Sequence, residues 1–211
     1  MTTAAVVILC VAGLFSLLDW IAVARANATL EYVAKPAATT AFLLVAVLVN
    51  SAEGTPQGWR VAALVFCVAG DVFLMLPRDA FVPGLASFAV AQMLFVVSFM
   101  TQDPTAGRLL LGILLGVPVT VVLARRFIGA LAAGGHRELI APVVIYMVVI
   151  TSMVVSGVAG GTAWGIAGAV AFMVSDSLIA ETRFVKSREW HGVAIMVTYH
   201  AALVGLVAGL L

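Results

Sequence analysis

Two carboxylates stand where water is scarce. Asp71 follows Cys67-Val68-Ala69-Gly70, and Asp176 follows Phe172-Met173-Val174-Ser175. A carboxylate at membrane depth costs about 3 kcal/mol on insertion scales, so it needs a partner or a wet cavity and is a functional candidate by default. Each is followed seven residues later by an arginine, Arg78 and Arg183. Seven residues are two helical turns, which puts acid and base on one face, about 10 Å apart along the axis. An anionic head group can dock on the arginines while the acids meet a bond deeper in the membrane. Two acids in one low-dielectric cleft also tend to divide the labour of proton donor and ionised partner. The competing reading is structural, each aspartate only pairing with a neighbouring helix.

Other polar side chains fall around this pair. Lys35, beside Pro36 where the second apolar stretch begins, can neutralise an aspartate or bind phosphate, or only snorkel to the interface. His200 and Tyr199 lie mid-span near the end of the chain, with Gln92 as the counterpart in the fourth span. A histidine there can shuttle a proton; an interhelical packing role is the alternative. Tyr146 and Ser175 are further candidates for contact with substrate. Asp19 reads as a partner for an interfacial base, and His136 and His191 as solvated. With only three histidines, two at the water boundary, no metal site is expected. No phosphate-cradling glycine loop or nucleophile elbow is present, and no cofactor is expected. Scattered basic residues and a net charge of +1 give no reason to expect nucleic acid.

The elements that must position these groups are apolar helices. Hydrophobic residues make up 64% of the 211 positions and charged residues 10%, with mean hydropathy +1.18. Lipid is therefore the solvent. Eight stretches meet the length that a span requires: 3–24, 33–51, 59–77, 81–101, 107–124, 139–158, 162–181 and 191–211. The fold class is thus an all-α, polytopic bundle. The first stretch contains Asp19 and has no basic residue before it, so it reads as a retained span rather than a signal peptide. Cys10 and Cys67 read as small buried hydrophobes. Basic residues concentrate after spans one, three, five and seven (Arg25, Arg78, Arg125, Arg126, Arg137, Arg183, Lys186, Arg188), whereas the remaining loops offer Arg60 and Arg108. By the positive-inside rule the first set is cytoplasmic and both termini lie outside the cytoplasm. A multi-pass protein of a bacterial inner membrane is the expectation.

An internal repeat organises the landmarks. Asp71 and Asp176 are 105 residues apart, as are Arg78 and Arg183; Gly84 and Gly192, like Gln92 and His200, are 108 apart; Pro36 and Pro142 are 106 apart. Pseudo-repeats over about 1–103 and 104–211 would be parallel four-helix halves related about the membrane normal.

At these residues a resemblance enters. Lys35-Pro36, Ala69-Gly70-Asp71-Val72-Phe73-Leu74-Met75, Gly84-Leu85-Ala86-Ser87-Phe88 and Ser175-Asp176-Ser177-Leu178-Ile179-Ala180, in that order, resemble the YhhN-like family of membrane proteins, which includes the animal lysoplasmalogenases. The resemblance implies eight spans, a lysophospholipid substrate drawn from the bilayer, and hydrolysis of a vinyl ether bond to a fatty aldehyde and a glycerophospho head group. The family's span-four segment tends to carry His followed three residues later by Tyr, where this chain has Gln92 and Phe95. That departure leaves His200 to stand in for the histidine. On this reading Asp71 and Asp176 share acid and base roles, with His200 as a further proton carrier. Lys35, Arg78, Arg183, Gln92, Tyr199, Ser175 and Tyr146 would bind or orient the substrate. The rival from a different class is a proton-coupled small-molecule or lipid transporter using the same paired acids.

Overall fold

A computed structural model describes residues 2–49, 57–76 and 80–210. Eight α-helices occur among them: α1 Thr3–Ala24, α2 Ala28–Leu48, α3 Gln57–Met75, α4 Phe81–Met100, α5 Ala106–Ala133, α6 Ile140–Gly160, α7 Ala163–Ala180 and α8 His191–Ala208. All eight are long and apolar enough to cross a membrane. In lipid each backbone group must be satisfied within its own segment, which apolar runs of this length achieve as helices. Thr2, Asn27, Thr105 and Thr162 cap their helices by accepting from backbone N–H groups in the first turn.

Three boundaries differ from the sequence reading, each for a local reason. α2 starts at Ala28 rather than near residue 33, because Asn27 Oδ1 accepts from Leu30 N at 3.1 Å. Pro36 consequently lies inside the helix, not in its first turn, and Lys35 is carried two turns deep. α5 runs to Ala133, well past residue 124, because Phe127 and Leu131 pack with Val143 and Met147 in a small second core. Arg125 and Arg126 therefore ride on a helix, and Arg126 grips Glu181 with both arms of its guanidinium at 2.7 and 2.6 Å. α7 does not end at its last apolar residue either. It continues as a π-helical turn over Glu181–Val185, a local irregularity that often marks functional sites. His191, expected in solvent, is buried, with its Nδ1 2.8 Å from Thr182 Oγ1.

Successive helices pack as antiparallel pairs, α1 with α2, α3 with α4, α5 with α6 and α7 with α8; α4 against α6, α2 against α3 and α8 against α1 and α2 close the bundle. The main core gathers Phe42, Phe88, Phe95, Phe99, Phe172 and Leu203. α7 and α8 touch backbone to backbone: a Cβ on Gly168 would lie 2.7 Å from Leu206 N. Small residues at such contacts are how membrane helices approach closely.

Arg60, expected in a loop, is instead fully buried in α3. Its Nε donates to Ser98 Oγ at 2.9 Å, its Nη1 to the Leu206 carbonyl at 3.0 Å, and its guanidinium lies over the Phe99 ring. Ser98 and Leu206 lie in the last turns of α4 and α8. The arginine places positive charge where two helix dipoles end.

Candidate active site

Asp176 is the acid that meets open space. It lines an apolar cavity of about 60 Å³, room for a few water molecules, walled by Leu74, Phe88, Thr120, Phe127, Tyr146, Ile150 and Met173 among others. Five helices, α3 to α7, contribute to the wall. The carboxylate is fixed from two of them: Tyr146 OH of α6 donates to Oδ2, and Gln92 Nε2 of α4 donates to the same oxygen at 3.0 Å. Gln92 Nε2 also donates to Tyr146 OH at 2.6 Å, which closes a triangle of three side chains from three helices. Both hydrogen bonds to Asp176 fall on Oδ2.

Asp71 is fully buried and is not among the residues lining that cavity. Thr39 Oγ1 of α2 donates to its Oδ2 at 2.6 Å and Tyr199 OH of α8 at 3.0 Å. Lys35 Nζ lies 3.7 Å from Oδ1, and its side chain is only 7% exposed, so the lysine is spent on Asp71 rather than snorkelling. Asp71 is thus met by one cation and two hydroxyl donors, from α2 and α8. Tyr199 links the two centres, because its ring packs edge-on against Phe88 and Phe172, and Phe88 also lines the Asp176 cavity. Close packing of Phe88 on Gly70 seats this wall, since a Cβ there would lie 2.6 Å from the ring.

His200 belongs to a third group. Trp20 Nε1, which can only donate, is 2.9 Å from His200 Nδ1, so Nδ1 is the acceptor and the ring proton sits on Nε2. That nitrogen points at Asp19 Oδ2 from 4.0 Å, too far for a hydrogen bond. Asp19 is fully buried and neither of its oxygens has a hydrogen-bond partner. The expectation of an interfacial base beside Asp19 is thus corrected: its neighbour is His200, with Lys35 also within electrostatic reach.

The remaining expectations divide. Lys35, Gln92, Tyr146 and Tyr199 touch one or other central aspartate. Ser175 does not, because its hydroxyl donates to the Ile195 carbonyl on α8 at 3.0 Å and does not line the cavity. Arg183 lies on the π-helical turn with its guanidinium 4.1 Å over the centre of the Phe81 ring, and Phe81 lines the cavity. Arg78 lies outside the described residues. Thr39 had not been singled out; a lone threonine in an apolar helix carries no signal of a partner 32 residues away. Among the described residues, no three His, Cys, Asp or Glu side chains are grouped to hold a metal ion.

Fold and site define a polytopic α-helical membrane protein built around two carboxylates held by interhelical hydrogen bonds. Residues 30–210 match the YhhN family, and the chain belongs to that family. Among curated relatives, it is 32% identical over 180 residues to a lysoplasmalogenase of Mycobacterium tuberculosis, covering 82% of this chain and 67% of that protein. It is 34% identical over 140 residues to lysoplasmalogenase TMEM86B of Homo sapiens, covering 66% of this chain and 58% of that one. The Mus musculus counterpart is 31% identical over 160 residues, covering 75% and 66%. No solved structure matches the chain. Asp19 and Trp20 precede the segment that matches the family.

Proposed function

We propose that this protein is an intramembrane hydrolase of the lysoplasmalogenase type, cleaving the vinyl ether bond of a single-chain phospholipid. The observation that carries the reading is a carboxyl group anchored through one oxygen at the wall of an apolar cavity, in a chain whose relatives are named lysoplasmalogenases.

Asp176 is the general acid in this scheme. Its Oδ1 carries the proton and delivers it to the vinyl carbon remote from oxygen, forming a C–H bond and an oxocarbenium ion. The resulting carboxylate stabilises that cation and then takes a proton from the attacking water, whose oxygen bonds to the cationic carbon. The hemiacetal collapses to a fatty aldehyde and a glycerophospho product, and Asp176 is again protonated. Asp71, ionised against Lys35, supplies a fixed negative charge nearby that favours the cationic transition state, in the manner of preorganised electrostatic stabilisation. Tyr146 and Gln92 orient the acid, Tyr199 orients Asp71, and Arg183 meets the phosphate at the cavity mouth.

We further propose that the halves 1–103 and 104–211 are repeats. The contacts support this: Thr39 of α2 and Tyr146 of α6 each donate to the aspartate of the following helix, and Tyr199 of α8 and Gln92 of α4 each donate to the aspartate of the other half. The partners of these pairs are separated by 107 residues, and the aspartates by 105. The distribution of basic residues supports both termini lying outside the cytoplasm, and residence in a bacterial inner membrane is part of the same proposal.

A panel of purified lysolipids tests the reaction. Vinyl ether, ester and saturated ether forms incubated side by side should show consumption of the vinyl ether alone, with aldehyde as product. Movement of lipid or solute across proteoliposomes under a pH gradient, with no product formed, would favour the transporter instead.

A further inference from the structure

The cavity at Asp176 is one of three spaces in a row. At the end of α7 lies a polar recess formed by Phe81, His136, Glu138, Arg183 and Phe184. Phe81 and Phe184 line that recess and the Asp176 cavity alike, and their rings stand edge to face with centroids 5.6 Å apart. The bidentate clamp of Arg126 on Glu181 fixes the π-helical turn that presents Arg183 and Phe184. On the opposite side, Thr120 lines both the cavity and a long apolar groove between α4, α5 and α6. Its hydroxyl meets that of Thr151 at 2.5 Å, so the junction between the two spaces carries no free polar group on that side. The groove then follows Val117, Ile113 and Leu109 of α5 against Val148 and Val155 of α6. From Thr120 to Leu109 is about 16 Å of helix.

The order of these spaces is cation, acid, then hydrocarbon. A lysolipid with a vinyl ether has the same order along its length: phosphate, glycerol, enol ether, chain. We infer that the groove between α4, α5 and α6 is the binding site for the substrate's single hydrocarbon chain. The head group rests at Arg183, and the reacting carbons pass the Phe81–Phe184 pair to reach Asp176. This rests on the reaction proposed above and adds the residues that read chain length. The groove adjoins the cavity that holds the acid, since Thr120 lines both, and that shared wall is what singles it out on the apolar surface. α5 suits the role of an outer wall, since its lipid side exposes Leu110, Leu114, Leu115 and Val122 while Gly112 and Gly116 hold it close to Val155.

Two measurements decide it. Val117→Trp and Ile113→Trp, each checked for an unchanged melting temperature in detergent, are assayed with octadecenyl and octenyl lysolipids. Filling the groove should lower kcat/KM for the long chain about tenfold more than for the short one, the effect of roughly 1.4 kcal/mol of overpacking. Equal loss on both chains, or no loss on either, overturns the assignment while leaving the reaction standing. Independently of turnover, a lysophosphatidylcholine with a diazirine at its chain end is photolysed with the wild-type protein and the labelled peptides are mapped. Label on α5 and α6 that octadecenyl lysolipid displaces and diacyl phosphatidylcholine does not supports the groove. Label that neither or both displace marks ordinary lipid contact and overturns it. A wild type that cleaves nothing yet gives the displaceable label sinks the reaction, not the groove.

Discussion

Each central aspartate is defined by who donates to it. Asp176 has two neutral donors on one oxygen and a cavity beside it, whereas Asp71 has Lys35, Thr39 and Tyr199 and no place on that cavity wall. That difference is the ground on which Asp176 is proposed as the acid and Asp71 as the fixed charge. Tyr146→Phe keeps the ring and removes one of the two anchors of Asp176. Aldehyde release should fall by roughly 10- to 100-fold with little change in melting temperature, as expected for a misaligned general acid; unaltered turnover would remove Tyr146 from the site. Lys35→Met leaves Asp71 buried without its cation, and stability should drop by about 3–5 kcal/mol, read as a lower denaturation midpoint that Lys35→Arg partly restores. The two acids were legible in the sequence because carboxylates inside apolar runs are costly and therefore conspicuous. Their partners were less so. For Lys35 the sequence allows pairing, phosphate binding or snorkelling, and its burial beside Asp71 decides for pairing. Asp19 stands out in the sequence as an acid in an apolar run, but nothing there points to His200, whose Nε2 lies 4.0 Å away on the last helix.

At the scale of elements, the helices were readable from hydropathy and length, and their ends were not. α2, α5 and α7 all extend beyond their apolar stretches, through an asparagine cap, a small second core and a π-helical turn respectively. None of these depends on mean hydropathy, so a window of apolar residues does not see them. Arg60 shows the same limit: its sequence position suggests a loop cation, yet it caps two helix ends from inside the bundle. The α7–α8 contact is the most constrained junction. A Cβ at Gly168 or at Gly205 would each meet opposing backbone within 3 Å, and backbone cannot move aside as a flexible side chain can. Gly168→Val should therefore lower stability by about 1–3 kcal/mol or more, seen as a reduced melting temperature in detergent. A variant as stable as the wild type would show that the two helices can separate without penalty. Because α8 carries Tyr199 and α7 carries Asp176, the same substitution should disturb turnover as well.

For the whole molecule, the proposed parallel halves with exchanged donors would account for both acids lying in the middle of one bundle. α4 supplies Gln92 to the second half and α8 supplies Tyr199 to the first, so neither half completes its own site. The sequence offsets pointed at this arrangement but matched Gln92 with His200, whereas the hydrogen bonds match Gln92 with Tyr199, one residue earlier. A shift of one residue turns a helix by about 100°, which is enough to exchange the side chain that faces the acid. Orientation is testable on the same scale. In a Cys10→Ala background, Lys186→Cys should react with an impermeant maleimide only from the cytoplasmic face, and Asp103→Cys only from the other; the reverse pattern would invert the topology. In the proposed mechanism the decisive step is proton delivery from Asp176 to the vinyl ether. Its most direct measurement is single-turnover aldehyde release by folded Asp176→Asn protein beside wild type. A loss of at least about 100-fold is expected with lysolipid binding retained, and aldehyde formation at a near-normal rate by the asparagine variant would remove Asp176 as the proton donor.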